Sequence, residues 1–149
     1  MLLGATFLNL LLKRKTQIFA AEAVVALIVP LLSPELVQGR DVTWYIDNEA
    51  AVSSLIRGAS RSSDVGHIAV AAHLAMLAID ARPWFEWIDT ASNPADGLSR
   101  DGLQDEWTRR QNWALQEIPP TQMDTVAEFL SSMAVSAAAW QGEWLLAKR

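Results

Sequence analysis

The segment Val42-Thr43-Trp44-Tyr45-Ile46-Asp47, answered further along by Pro83-Trp84-Phe85-Glu86-Trp87-Ile88, decides the fold. Val42 to Ile46 is β-branched or aromatic at both alternating sets of positions, the pattern of a central strand covered on each side. Trp84 to Ile88, opened by Pro83, reads as a second aromatic strand. Between them the period lengthens. Asn48 to Arg57 predicts a short helix with Val52, Leu55 and Ile56 inward and Gly58 as its carboxyl-terminal stop. The polar loop Gly58-Ala59-Ser60-Arg61-Ser62 leads to a longer helix with the stripe Val65, Ile68, Ala72, Ala75, Ile79, capped by Ser62 or Ser63 and reaching about Ala81. A strand, two helices and a strand form a crossover unit, which makes the two strands parallel neighbours. The expected fold class is α/β, an open sheet flanked by helices.

Working outward, Gln17 to Leu32 is apolar nearly all round a helix, with Pro30 and Pro34 as the expected stop. Glu22 interrupts it on the stripe of Ile18, Val25 and Val29, where an ionised group is costly unless paired or bound to a metal. On the other side, Asn93-Pro94-Ala95-Asp96 has the order of a helix start: Asn93 as cap, Pro94 in the first position, Asp96 in the first turn. That helix is expected to continue past Trp107 toward Ile118. Pro119-Pro120 marks a boundary between a domain over residues 1–118 and a helical appendix over 119–149, with Val126, Phe129, Leu130, Met133 and Trp140 on its apolar face. There is no internal repeat.

The chain has 149 residues, 51% hydrophobic and 19% charged, enough for one cored domain and unlike a disordered polymer. It has no cysteine, which excludes disulfides, thiolate zinc sites and thiol nucleophiles and leaves oxygen and imidazole as metal ligands. The longest apolar run, Ala23 to Leu32, is about half the ~20 residues a membrane span needs. Over residues 1–15 the apolar stretch precedes Lys13, Arg14 and Lys15, the reverse of a secretory signal, so an intracellular location is expected.

A net charge of −5 argues against bulk coating of nucleic acid. The charge is uneven, however: residues 1–61 carry six basic and five acidic side chains, residues 62–149 six basic and twelve acidic. A polyanion would therefore favour the first half, through Lys13, Arg14, Lys15, Arg40, Arg57 and Arg61.

Ligands of open α/β sheets gather at the carboxyl ends of parallel strands. Asp47 ends the first strand, Asp96 follows the second by a short loop, and Glu22 lies on a helix expected over the same sheet. Three hard oxygen ligands of this kind suit Mg²⁺ or Mn²⁺ and phosphodiester chemistry. Each acid also has a structural reading: Asp96 complements a helix dipole, Asp47 is a turn or cap residue, and Glu22 could be paired within the fold. His67 and His73 read as packing or surface residues. Neither a nucleophile constellation nor a Gly-rich phosphate loop is present.

Taken together, Thr16-Gln17-Ile18-Phe19-Ala20-Ala21-Glu22, Trp44-Tyr45-Ile46-Asp47-Asn48-Glu49-Ala50-Ala51, Gly58-Ala59-Ser60-Arg61-Ser62, Trp84-Phe85-Glu86-Trp87-Ile88 and Ser92-Asn93-Pro94-Ala95-Asp96-Gly97-Leu98-Ser99-Arg100 are familiar in this order. They resemble the ribonuclease H-like domain that follows reverse transcriptase in eukaryotic retrotransposons, particularly the tyrosine-recombinase-associated (DIRS-like) group. The likeness covers residues 13–102 and lies in the combination of blocks. It implies a mixed sheet flanked by helices, with acids holding two Mg²⁺ or Mn²⁺ ions that cut the RNA strand of an RNA–DNA hybrid. By matching position, Glu22, Asp47 and Asp96 would be the catalytic metal ligands, with nucleic-acid contacts from Lys13, Arg14, Lys15, Asn48, Arg57 and Arg61. In such sites the ions stand ~4 Å apart, one activating water and the other stabilising the leaving oxygen. One departure stands out: the family's first strand carries an aspartate shared by both ions, and no acid precedes Glu22 here. The expectation is thus an amino-terminally truncated domain with weak or lost activity by itself, whose missing strands leave an apolar edge open to an upstream reverse transcriptase segment or to self-association. The alternatives are a non-catalytic binding or oligomerisation module, or an unstable retroelement relic.

Overall fold

In the computed structural model, residues 11–13, 18–112, 119 and 121–133 are described. The chain is α/β, mostly helical, with two parallel strands in an open sheet. Helix α1 (Ile18–Leu32) and a 3₁₀ turn (Pro34–Leu36) precede strand β1 (Asp41–Ile46); α2 (Glu49–Arg57) and α3 (Ser63–Ala78) connect it to β2 (Arg82–Trp87). The register pairs Asp41 with Arg82, Trp44 with Phe85 and Ile46 with Trp87. Short helices α4 (Ala95–Asp101) and α5 (Glu106–Arg110) follow, and residues 121–133 form a further helix, α6.

The crossover unit sits where the residue pattern puts it. Asn48 caps α2, its Oδ1 accepting the Ala51 amide at 3.1 Å, and Gly58 ends the helix at φ +61°, a conformation open to glycine at little cost. Ser62 is the cap position of α3 but makes no capping bond with its side chain. Asp64 supplies the carboxylate instead: its oxygens accept from the Ser62 hydroxyl, the Val65 amide and the Leu12 amide.

Several expectations change in the folded chain. Helix α1 ends at Leu32 before Pro34, as expected, but Pro30 is buried inside it and does not act as a stop. Its buried face is Ala20, Ala23, Val24, Ala26, Leu27 and Ile28, which packs mainly against α3. Of the stripe expected to face inward, Ile18 is 61% and Val25 40% exposed, Glu22 is half-buried, and Val29 packs against the core. A helix apolar on every side gives the sequence no means of choosing a face. Ile56 is likewise exposed, while Ala51, Val52 and Leu55 are buried.

The sheet also departs from the expected central strand. Val42, Trp44, Ile46 and Phe85 join the core, whereas Thr43, Tyr45, Trp84 and Glu86 are exposed, so among the described residues only one face is covered. The long helix expected from Asn93 is broken at Gly102, φ +58°, into α4, a 3₁₀ turn and α5; residues 113–118 lie outside the described residues. Met123, Val126, Ala127 and Leu130 of α6 belong to the same hydrophobic core as α1 and α3.

Candidate functional site

Asp47 follows the last residue of β1 and precedes the cap of α2, so two fixed elements hold its backbone. Glu22 comes from the second turn of α1, which packs on α2 and α3. The two carboxylates meet electrostatically. Burial pushes the Glu22 carboxyl above its ordinary range, and the negative charge of Asp47 pushes it further the same way. Half-buried like charges from separate elements destabilise the chain that holds them unless a cation sits between them or one keeps a proton. Two carboxylates suffice to anchor one Mg²⁺ that otherwise keeps its waters or takes substrate phosphate oxygens.

Asp96 stands elsewhere. It is in the first turn of α4, as expected, and Arg100 one turn on pairs with it, Nε to Oδ1 at 3.0 Å. It lines a cleft of 360 Å³ with Thr90, Asn93, Gly97, Asp105 and Trp107. Asn93 acts locally, its Oδ1 accepting the Ala95 amide at 3.0 Å. Among the described residues no three carboxylate or imidazole groups lie close enough together to hold a metal ion. Glu22 and Asp47 thus feel each other's charge while Asp96 is paired with Arg100, and among the described residues the three acids do not form a complete metal site.

Of the expected nucleic-acid contacts, Lys13 is exposed, Asn48 is occupied as the α2 cap, and Arg14 and Lys15 lie outside the described residues. Arg57 and Arg61 are brought together. With Phe19, Ser53, Ser60 and Ser62 they line a cleft of 320 Å³ between α1, α2 and the loop after it. Sequence reasoning missed Phe19, Ser53 and Ser60 as lining residues; the legible sign was the polar loop Gly58-Ala59-Ser60-Arg61-Ser62 that follows Arg57. The histidines play no part in either cleft. His67 is exposed, and the His73 ring donates from Nε2 to the Leu55 carbonyl at 2.6 Å and stacks edge-on against Phe85.

Comparison with protein-family models, curated proteins and solved structures returned no match. Among the described residues no helix is long and apolar enough to cross a membrane.

Proposed function

We propose that this chain is a ribonuclease H-like retroelement domain that binds RNA–DNA hybrid and a divalent cation but hydrolyses little or nothing by itself. The observation that carries the reading is the Glu22–Asp47 pair: an acid from a mostly apolar helix and an acid from a strand end feel each other's charge in a half-buried setting. That pairing supports a cation site built from the two acids, with Mg²⁺ or Mn²⁺ supplying, when bound, polarisation of a phosphate oxygen or a water. The parallel strands joined through two helices are compatible with the same lineage. Asp96, held by Arg100, would have to exchange that partner to join the site.

Calorimetric titration of the purified chain with Mg²⁺ or Mn²⁺ tests the reading. Binding that Glu22→Gln and Asp47→Asn each weaken is expected; indifference to the ion, or binding unchanged in both variants, refutes it. Metal-dependent cutting of a labelled hybrid by the chain alone, abolished by Asp47→Asn, would refute the inactivity.

A second reading, a non-catalytic interaction module, is favoured by the bare sheet face, where Tyr45 is 60% and Trp84 66% exposed. It predicts self-association that Tyr45→Ser and Trp84→Ser reduce, measured by sedimentation.

A further inference from the structure

Helix α3 carries a second apolar stripe that the core does not use. Its 16 residues include one charged side chain, Asp64, and that one is buried. Ile68, Ala72, Ala75 and Met76 are buried on the side where α3 packs on α1. On the other side His67, Val70, Leu74 and Leu77 are exposed, Leu77 to 75%. The outward face of a surface helix is normally charged, yet no Asp, Glu, Lys or Arg stands between His67 and Ala78. The exposed positions follow one another by three, four and three residues, and Ser63 lies four before His67. Alternating threes and fours is the 3.5-residue period of a narrow seam along which two helices pack. Gly66 and Ala78 beside the seam are small, so a second backbone can approach closely.

The charges around the seam select its occupant. Turned antiparallel about a point between Val70 and Leu74, two α3 helices set Val70 of each against Leu74 of the other and His67 against Leu77, so no like charges meet. The same turn brings Asp80 of one copy to the His67 end of the other, near the amino-terminal turns of the helix and near an imidazole that can donate to it. Asp80 is available for this, since Arg82 lies 3.4 Å from it and is held more closely by Asp41 at 2.6 Å. Parallel pairing would instead set Asp80 against Asp80. Elsewhere a net charge of −5 makes two copies repel, which leaves an uncharged stripe as the place for them to meet. Within the described chain α6 does not compete for it, because Met123, Val126 and Leu130 already belong to the core. The strip is about 24 Å long and 10 Å wide, smaller than the ~800 Å² that a standard interface takes from each partner, so the contact is a weak one.

We propose that a second copy of this chain docks antiparallel along the outer face of α3, forming a weak symmetric dimer. The dimer rests on neither reading of the function and uses a different surface from the bare sheet face.

Sedimentation velocity of the full chain from about 1 to about 300 µM tests the dimer, a range that brackets a Kd of roughly tens of micromolar. The wild type should pass from monomer to dimer across the series. Leu74→Lys and Leu77→Lys should each weaken association about tenfold or more by placing a charge in the seam, although lysine lowers the net negative charge and would relieve general repulsion. His67→Asp, which meets Asp80 of the second copy, should weaken association about fivefold or more, whereas His67→Lys should hold or strengthen it. Tyr45→Ser, on the bare sheet face, should leave it unchanged. Equal urea midpoints show that the variants fold, and Leu77, the most exposed of the four, is the position least able to disturb the core. A wild type that stays monomeric throughout overturns the proposal. So does association that Tyr45→Ser reduces as much as Leu77→Lys, or that His67→Lys weakens as much as His67→Asp. Flotation of a monomeric chain with zwitterionic lipid vesicles, lost in Leu77→Lys, would assign the stripe to a lipid surface and also overturn it.

Discussion

Asn48 links the candidate site to the fold, and its removal has a calculable consequence. Its backbone is extended, φ −103° and ψ 102°, and its Oδ1 accepts the Ala51 amide at 3.1 Å, satisfying one of the amides that the first turn of α2 leaves without a helical partner. Asp47 is the residue before it, so the cap also fixes where the strand-end carboxylate begins. Asn48→Ala should cost about 1 kcal/mol, within the 0.5–2 kcal/mol found for such caps. At 1.4 kcal/mol per tenfold, that is about a fivefold loss in the folding equilibrium. Asn48→Ser should be nearly neutral, because its hydroxyl accepts the same amide, and Asn48→Gly should cost only a few tenths. Asn48→Asp keeps the cap but adds a negative charge beside Asp47 and Glu22, so its stability should fall behind that of the serine variant as pH rises. Urea denaturation at constant m-value reads all four. A serine variant that loses as much as the alanine variant, or an alanine variant within 0.3 kcal/mol of wild type, would show that the bond contributes nothing and that β1 alone positions Asp47.

Further outcomes follow from the packing and from the charge pair. Leu27→Ala, at a fully buried position on the α1 face toward α3, should cost about 2–5 kcal/mol in urea denaturation, the range for a leucine truncated inside a packed core. The raised Glu22 carboxyl means the folded chain keeps a proton that the unfolded chain has already released. Stability from this group is therefore greatest below the ordinary glutamate range, falls as pH rises through that range to the raised value, and is flat beyond. Glu22→Gln should remove that fall, so its urea midpoint should gain on wild type across the same window and then hold level. Gly97→Ala would set a Cβ 2.8 Å from Asp105 Oδ2 and closer still to Oδ1, while Asp105 Oδ2 accepts the Thr108 amide at 2.7 Å. The displaced carboxylate should release that amide, and hydrogen exchange at Thr108 should quicken; unchanged protection would mean that α4 shifts instead.

Local signals were readable wherever one residue or one period sufficed. Asn48 and Gly58 bracket α2, the spacing of Val65, Ile68, Ala72 and Ala75 sets α3, and the aromatic runs set both strands and their parallel pairing. Signals failed where a choice needed a partner. Ile56 looks inward by spacing but is 61% exposed, because it stands at the rim of an open groove shared with His73, Pro83 and Trp84 while Ala51, Val52 and Leu55 take the packed face. The helix from Asn93 looks continuous, yet Gly102 adopts a left-handed φ and breaks it.

For the site, residue types and order sufficed to single out Glu22, Asp47 and Asp96 as acids with unusual placement, and Arg57 and Arg61 as cations in a favourable half of the chain. Sequence records chemistry and local period, and those are short-range properties. Which acids share a field is a question of where α1 settles against β1 and α2, and only packing decided that Glu22 meets Asp47 while Asp96 turns to Arg100. The same packing drew Phe19, Ser53 and Ser60 around the two arginines, because groups separated along the chain become neighbours only when buried surfaces fix the elements that carry them.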